Sequence, residues 1–468
     1  MSAPLIFILI PLIIAAPLWL LRRRLLFTTI AAGSVSLLLA FLAYRFPVNA
    51  VVRIGPLAFE VRAAMDVLGR RLVLDSGDLP FLVFIYALGA LWIFGSRLAK
   101  TAHTFPPLAL VMIGLLVAAR AVEPFLYAAL LIETAVLISI PMFSEPGIAA
   151  GPGLLRYLIF QTLGMPFILL AGWGAGFVES NPSDQVLLIR TVLMLGMGFV
   201  LWLAIFPFYT WMPLLAQETN PYMVGFVISL LPTVGLLFFV DFLNSYAWLR
   251  SFDLLYTGLR LTGVIMVVTG GFWAVFQRNL SRLMAYAVIV ETGFSLLALS
   301  LGSRAGLEIF VNQLLARTIA LAAWALTISV LRQEIPLTLN GITGLLYRHP
   351  FAGASLLFSY LTLAGLPLLP VFSLRFLLLE QLVGAARLTA VWAALGSIGL
   401  LLAGLRVLVA AARQSEEIAA PQPGPVSIEI WFQRGLMAGG MIFLLLLGIL
   451  PRFATNGMLR ILEAFNRL

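Results

Sequence analysis

The sequence predicts an all-α polytopic membrane protein of about fourteen transmembrane helices. Three observations carry this. Of 468 residues, 62% are hydrophobic and only 10% charged, whereas soluble domains carry about 25% charged residues. Apolar runs of about 20 residues, the length that crosses a bilayer, recur from end to end. Ionisable side chains are rare inside these runs, yet a few sit near their centres.

The first run, 2–21, is followed by Arg22, Arg23 and Arg24 and has no small-residue cleavage site. It reads as a span that stays, since a signal peptide carries its positive residues before the apolar run. Further spans are expected at 25–44, 80–99, 105–121, 122–142, 152–178, 185–208, 219–243, 253–276, 280–302, 305–331, 351–383, 386–412 and 433–450. The basic stretches "RRR", "SRLAK", "FQRNLSR" and "LRQE" follow the first, third, ninth and eleventh spans. The loop after the sixth, "VESNPSD", is acidic. The positive-inside rule then places both termini on the non-cytoplasmic side. The segment 45–79 holds several arginines on that outer side, but Glu60, Asp66, Asp75 and Asp78 offset them.

Composition also excludes chemistry. There is no cysteine and there are two histidines, His103 and His349, so cysteine-ligated clusters, thiolate zinc and disulfides are ruled out. "GAGFVES" at 174–180 lacks the glycine spacing of a dinucleotide fingerprint. The net charge of +9 comes from basic residues scattered in short loops, which does not point to nucleic acid. Of 29 basic residues 28 are arginine, and the single lysine is Lys100, in a loop.

An ionisable group in mid-membrane is costly and usually faces the protein interior with a partner or a task. Glu133, Glu291, Arg317 and Arg375 are such groups, and together they suggest a polar axis. Arg120, Asp241 and Arg406 lie nearer span ends, where snorkelling is the expected behaviour. Pro207 in the seventh span, and Pro367 and Pro370 in the twelfth, should interrupt their helices. Such breaks are tolerated where freed backbone groups face protein. Interruptions five spans apart suggest two inverted five-helix units. The chain then divides into 1–104 (three spans), 105–246 (first unit), 247–415 (second unit) and 416–468 (last span and tail).

Three segments resemble the antiporter-like membrane subunits of complex I, the proton-translocating NADH:quinone oxidoreductase, within the superfamily that includes the Mrp antiporters, membrane-bound hydrogenases and uptake complexes. "FPFYTWMPLLAQETNPYMV" (206–224) is similar to their P-x-H-x-W-L-P-x-A-H-x-x-A-P. "QRNLSRLMAYAVIVETGF" (277–294) is similar to Q-x-D-x-K-R-x-L-A-Y-S-S-I-x-H-x-G-F. "LAGLPLLPVFSLRF" (363–376) is similar to L-A-G-I-P-x-x-x-G-F-x-G-K-F.

The resemblance implies a membrane-arm subunit, of the N or M type, in a bacterial plasma membrane. Lipid and other membrane subunits, homologous ones included, would be its partners. It implies no cofactor in this chain, with FMN, iron–sulfur clusters and quinone on partner subunits. It also implies a proton path. Glu133 matches the family's span-five glutamate, Arg317 matches a polar span-eleven lysine, and Arg375 matches the basic or acidic residue of span twelve. A basic residue at 375 points to the member beside the small linking subunits. The span-seven lysine falls on Trp202 and the span-eight lysine at or beside Val234. Tyr209 and Gln217 replace histidines, and Glu291 stands at a position that is usually histidine or another neutral polar group. A buried lysine can exchange protons near neutrality, but arginine stays protonated and Trp202 cannot titrate. The expected channel is therefore degenerate.

Overall fold

A computed structural model describes residues 2–45, 47–54, 57–67, 69–144, 149–181, 183–414 and 428–465. It is an all-α polytopic membrane protein. Ten of the described helices are long and apolar enough to cross a bilayer. The other expected spans coincide with shorter apolar helices at Leu5–Leu20, Leu79–Gly95, Phe105–Ala121 and Pro350–Ala364. The last of these is short because the chain breaks at 365–369 and resumes as Pro370–Ala385. The expected boundary at 415–416 falls outside the described residues.

Local sequence sets the helix starts. Asn220 precedes Pro221, and its side-chain oxygen accepts from the Tyr222 amide at 2.9 Å. Asn279 accepts from the amides of Ser281 and Arg282, and Asp184 from that of Leu187. Each satisfies an amide that has no intrahelical acceptor.

Three helices form the centre. Pro221–Ser245, Leu280–Leu299 and Arg304–Leu331 are buried along most of their length, while Leu25–Arg45, Pro152–Ser180, Gln185–Trp202, Asp253–Phe276 and Arg387–Ala412 expose large apolar side chains outward. Small residues set the closest approaches. A Cβ added at Gly271 would lie 2.0 Å from the Gly396 carbonyl oxygen, and one at Gly263 would lie 2.9 Å from that of Gly293. Close backbone packing of this kind is how helices associate in lipid, where the hydrophobic effect gives no drive between them.

The basic loops after residues 95, 276 and 331 share one end of the bundle. Gln333 donates to the Leu98 carbonyl, Arg332 to that of Thr219, and the Leu280 amide to that of Leu337. At the opposite end, the described residues between 45 and 79 form a folded cap. Val51–Ile54 pairs antiparallel with Leu57–Glu60, and Ala64–Val67 with Arg70–Val73, which Val122–Glu123 extends. The chain closes with a short helix, Arg452–Leu459, and a 3₁₀ turn, Arg460–Ala464. Neither the cap nor this terminal helix follows from hydropathy.

Candidate functional site: a polar axis between two broken helices

Both breaks have the same backbone design. The helix Gln185–Trp202 ends with Ala204 at φ 50° and a bond from the Ile205 amide to the Val200 carbonyl. The helix Pro350–Ala364 ends with Gly365 at φ 77° and a bond from the Leu366 amide to the Leu361 carbonyl. Each is a left-handed C-cap in which an amide five residues on closes the last turn. Glycine adopts this conformation freely, whereas Ala204 holds it at the cost of Cβ strain. Pro207 lies just beyond the first break, Pro367 inside the second, and Pro370 opens the following half-helix.

The two breaks differ in what satisfies the freed carbonyls. At the first, Gln161 donates to the Trp202 carbonyl at 3.1 Å, and the Trp202 indole N–H donates back to the Gln161 carbonyl at 3.0 Å. At the second, Arg375 donates to the carbonyls of Ala364 (2.7 Å) and Leu363 and forms an ion pair with Glu291. Its guanidinium also stands 4.5 Å from the centre of the Phe294 ring. A neutral amide thus closes one break and a fixed charge the other. Gly365 is needed twice over, because a Cβ there would come within 2.7 Å of the Arg375 guanidinium.

The remaining polar residues fall into two groups. Glu133 accepts from Thr162 at 2.7 Å, next in sequence to Gln161. Arg317 contacts Thr233 at 3.3 Å and Ser295 at 3.4 Å. Ser295 also accepts from Gln313 at 2.7 Å and lies one turn from Glu291. Glu291 and Arg317 are fully buried, and Arg375 and Glu133 are only 5% and 6% exposed. The structure therefore brings Glu291, Arg317 and Arg375 into one cluster, where two guanidiniums face one carboxylate. Glu133 stands apart from it.

The two positions where the family's lysines are expected are apolar. Trp202 is buried, its indole lies over Gly164, and it packs against Phe199 and Phe238. Val234 is buried on the helix that carries Thr233. At the end of the bundle near Lys100, a cavity of about 490 Å³ reaches inward to Met142, Leu154 and Met223 but is not lined by Glu133.

A second charged site was not legible in the sequence. Arg120 and Asp241 do not snorkel. Arg120 forms an ion pair with Asp241 and lies 3.1 Å from Asp78, and all three are at most 15% exposed. The Phe465 ring covers the guanidinium at 4.9 Å. Burial pushes the Asp78 carboxyl up to about 6, against the pull of Arg120. Asp78 sits in a loop, so no rule about intramembrane charge singles it out.

Broken helices that carry buried charges recur in transporter-like membrane folds. Residues 175–402 match the family model described as NADH:quinone oxidoreductase/Mrp antiporter, TM. That match includes both breaks, Trp202, Val234, Glu291, Arg317 and Arg375. NADH-quinone oxidoreductase subunit N of Deinococcus radiodurans is 29% identical over 48% of this chain and 46% of its own length, so the chain spans about half of that relative. Subunit 14 of the Thermus thermophilus enzyme is 28% identical over 67% of this chain and 71% of its own. In fold, the chain matches one from Thermus thermophilus respiratory complex I with TM-score 0.79 and 21% identity, over 99% of this chain and 98% of that one. It matches one from the Mrp complex of Dietzia sp. DQ12-45-1b with TM-score 0.80 and 16% identity, over 99% and 97%. Over residues 175–402 the chain is similar to the NADH:quinone oxidoreductase/Mrp antiporter family, and its fold is that of the membrane chains found in such complexes.

Proposed function

We propose that this chain is a membrane-arm subunit of a complex I-like NADH (or other donor):quinone oxidoreductase, and that it supports proton translocation as a scaffold with a degenerate channel of its own. The fold does not choose among the family's members, since complex I and Mrp chains match it about equally well. The sequence relatives do favour one reading, because those named above are NADH-quinone oxidoreductase subunits. The alternative is a subunit of a multi-subunit cation/proton antiporter, membrane-bound hydrogenase or ion-coupled uptake complex.

The observation that carries the scaffold reading is the Trp202–Gln161 pair. An indole, which cannot titrate, fills the end of the first half-helix; its N–H donates to the Gln161 carbonyl, and the Gln161 side-chain amide donates to the Trp202 backbone carbonyl. On the other side of Val234, Arg317 and Arg375 hold charge permanently, and Arg375 keeps Glu291 in an ion pair. These groups can polarise a neighbouring subunit or fix helix geometry, but they do not form a relay of exchangeable protons. Residues 105–246 and 247–415 are read as two related five-helix units, a reading supported by their shared C-cap geometry. Redox chemistry, with its FMN, iron–sulfur clusters and quinone, belongs to partner subunits. The end bearing Lys100, Arg278 and Arg332 is read as cytoplasmic, in a bacterial plasma membrane, which leaves both termini on the far side.

Purification of tagged chain from native membranes in mild detergent tests this. The expected result is co-purification with homologous large membrane subunits and with quinone-site and iron–sulfur subunits. Isolation as a homodimer that exchanges cations for protons would favour the alternative.

A further inference from the structure

We infer that the crevice between the last span and the helices Leu79–Gly95 and Arg304–Leu331 is a binding site for one phospholipid with a zwitterionic, phosphate-plus-ammonium headgroup. Two cavities, of about 690 Å³ and about 330 Å³, meet there and share Leu91, Ile319 and Phe443. Both lie within the range of about 300–1,000 Å³ typical of ligand sites.

The crevice has the dimensions of one leaflet. Its wall runs from Leu315 to Leu326, which at 1.5 Å per residue is about 16 Å. Half the hydrocarbon core of a bilayer is about 15 Å. The inner wall is mostly aliphatic and aromatic, and its two hydroxyls, Tyr222 and Ser355, are already bonded to the Trp92 carbonyl and to Thr327, so water would find few hydrogen-bond partners there. An empty space of this size would forfeit the dispersion contacts of its lining. Acyl chains are the apolar material that a bilayer supplies.

Gly435 and Gly439 on the last span line the crevice, and a Cβ at either would meet nothing within 4 Å. Unlike Gly271, they do not bring two helices together; they leave room.

The mouth identifies the headgroup. Arg460 and Glu463 line it together with Tyr44 and Ser76. Arg460 and Glu463 are exposed and three residues apart in the 3₁₀ turn Arg460–Ala464, a spacing that puts two side chains on the same face. A cation beside an anion complements a phosphate beside an ammonium. A purely anionic headgroup would meet Glu463 unfavourably.

The test uses the intact complex, washed in detergent and analysed by native mass spectrometry and lipid extraction, with phosphatidylethanolamine, phosphatidylglycerol and isoprenoid quinone quantified per chain. Gly439→Leu fills the crevice, and the double variant Arg460→Gln/Glu463→Gln removes the mouth charges. Wild type should retain about one phosphatidylethanolamine that Gly439→Leu loses, and the mouth variant should lower its retention several-fold. If Gly439→Leu does not assemble, the mouth variant alone decides. Equal phosphatidylethanolamine retention in wild type and the assembled variants would overturn the assignment. So would preferential recovery of phosphatidylglycerol or quinone.

Discussion

Replacing Arg375 by methionine is expected to destabilise the protein by about 3–5 kcal/mol, the usual consequence of removing one member of a buried ion pair. The loss goes beyond the pair. Arg375 also satisfies the carbonyls of Leu363 and Ala364 where the helix breaks, so its removal leaves a buried carboxylate and two unpaired acceptors. Glu291→Gln should be milder, because the guanidinium keeps its two carbonyl partners. The double variant Glu291→Gln/Arg375→Met should recover part of the loss, since the stranded charge is gone. Yield of assembled complex and thermal unfolding of the three variants check this order. Equal losses for the two single variants would show that the carbonyl contacts carry no weight.

The second large effect is expected at Arg120. Arg120→Leu leaves Asp78 and Asp241 facing each other without their cation and should also cost about 3–5 kcal/mol. Its pH dependence has a definite sign. The Asp78 carboxyl is raised from 3.8 to about 6 in the folded protein, so the folded state holds that proton more tightly than the unfolded chain does. Its contribution is fully present below 3.8 and is lost as pH rises through about 6. Without Arg120 the raised carboxylate loses its counter-charge, while Asp75 and Asp241 still oppose its ionisation. The penalty of Arg120→Leu should therefore be larger at pH 8 than at pH 5, as measured by unfolding of the complex at both values. A penalty independent of pH would mean that Asp78 does not titrate in this range.

Much of this fold was legible because bilayer physics is written along the chain. A run of about 20 apolar residues has few other uses, and an isolated charge in its middle attracts notice. Glu133, Glu291, Arg317 and Arg375 were found in that way, and the prolines drew attention to the stretches where the two helices stop. What remained hidden is long-range or concerns backbone conformation. Nothing local pairs Glu291 with Arg375, 84 residues away. Arg120 and Asp241 look like residues at span ends until Asp78 is brought from a loop to meet them. Ala204 gives no sign of its left-handed conformation, which glycine would have advertised. Gln161 is an ordinary polar residue in a membrane helix, and only its position beside the first break gives it a part.

We propose that the path through this subunit is shut at Trp202 and that its remaining buried charges are fixed. The most direct test is the proton-to-electron ratio of the intact complex in proteoliposomes, with Glu133→Gln compared with wild type and electron transfer measured separately. Among the described residues Glu133 forms no ion pair and accepts from Thr162, so a live path is expected to use it. An unchanged ratio with assembly intact is expected. A lower ratio at an unchanged electron-transfer rate would contradict it and show that protons pass through this chain.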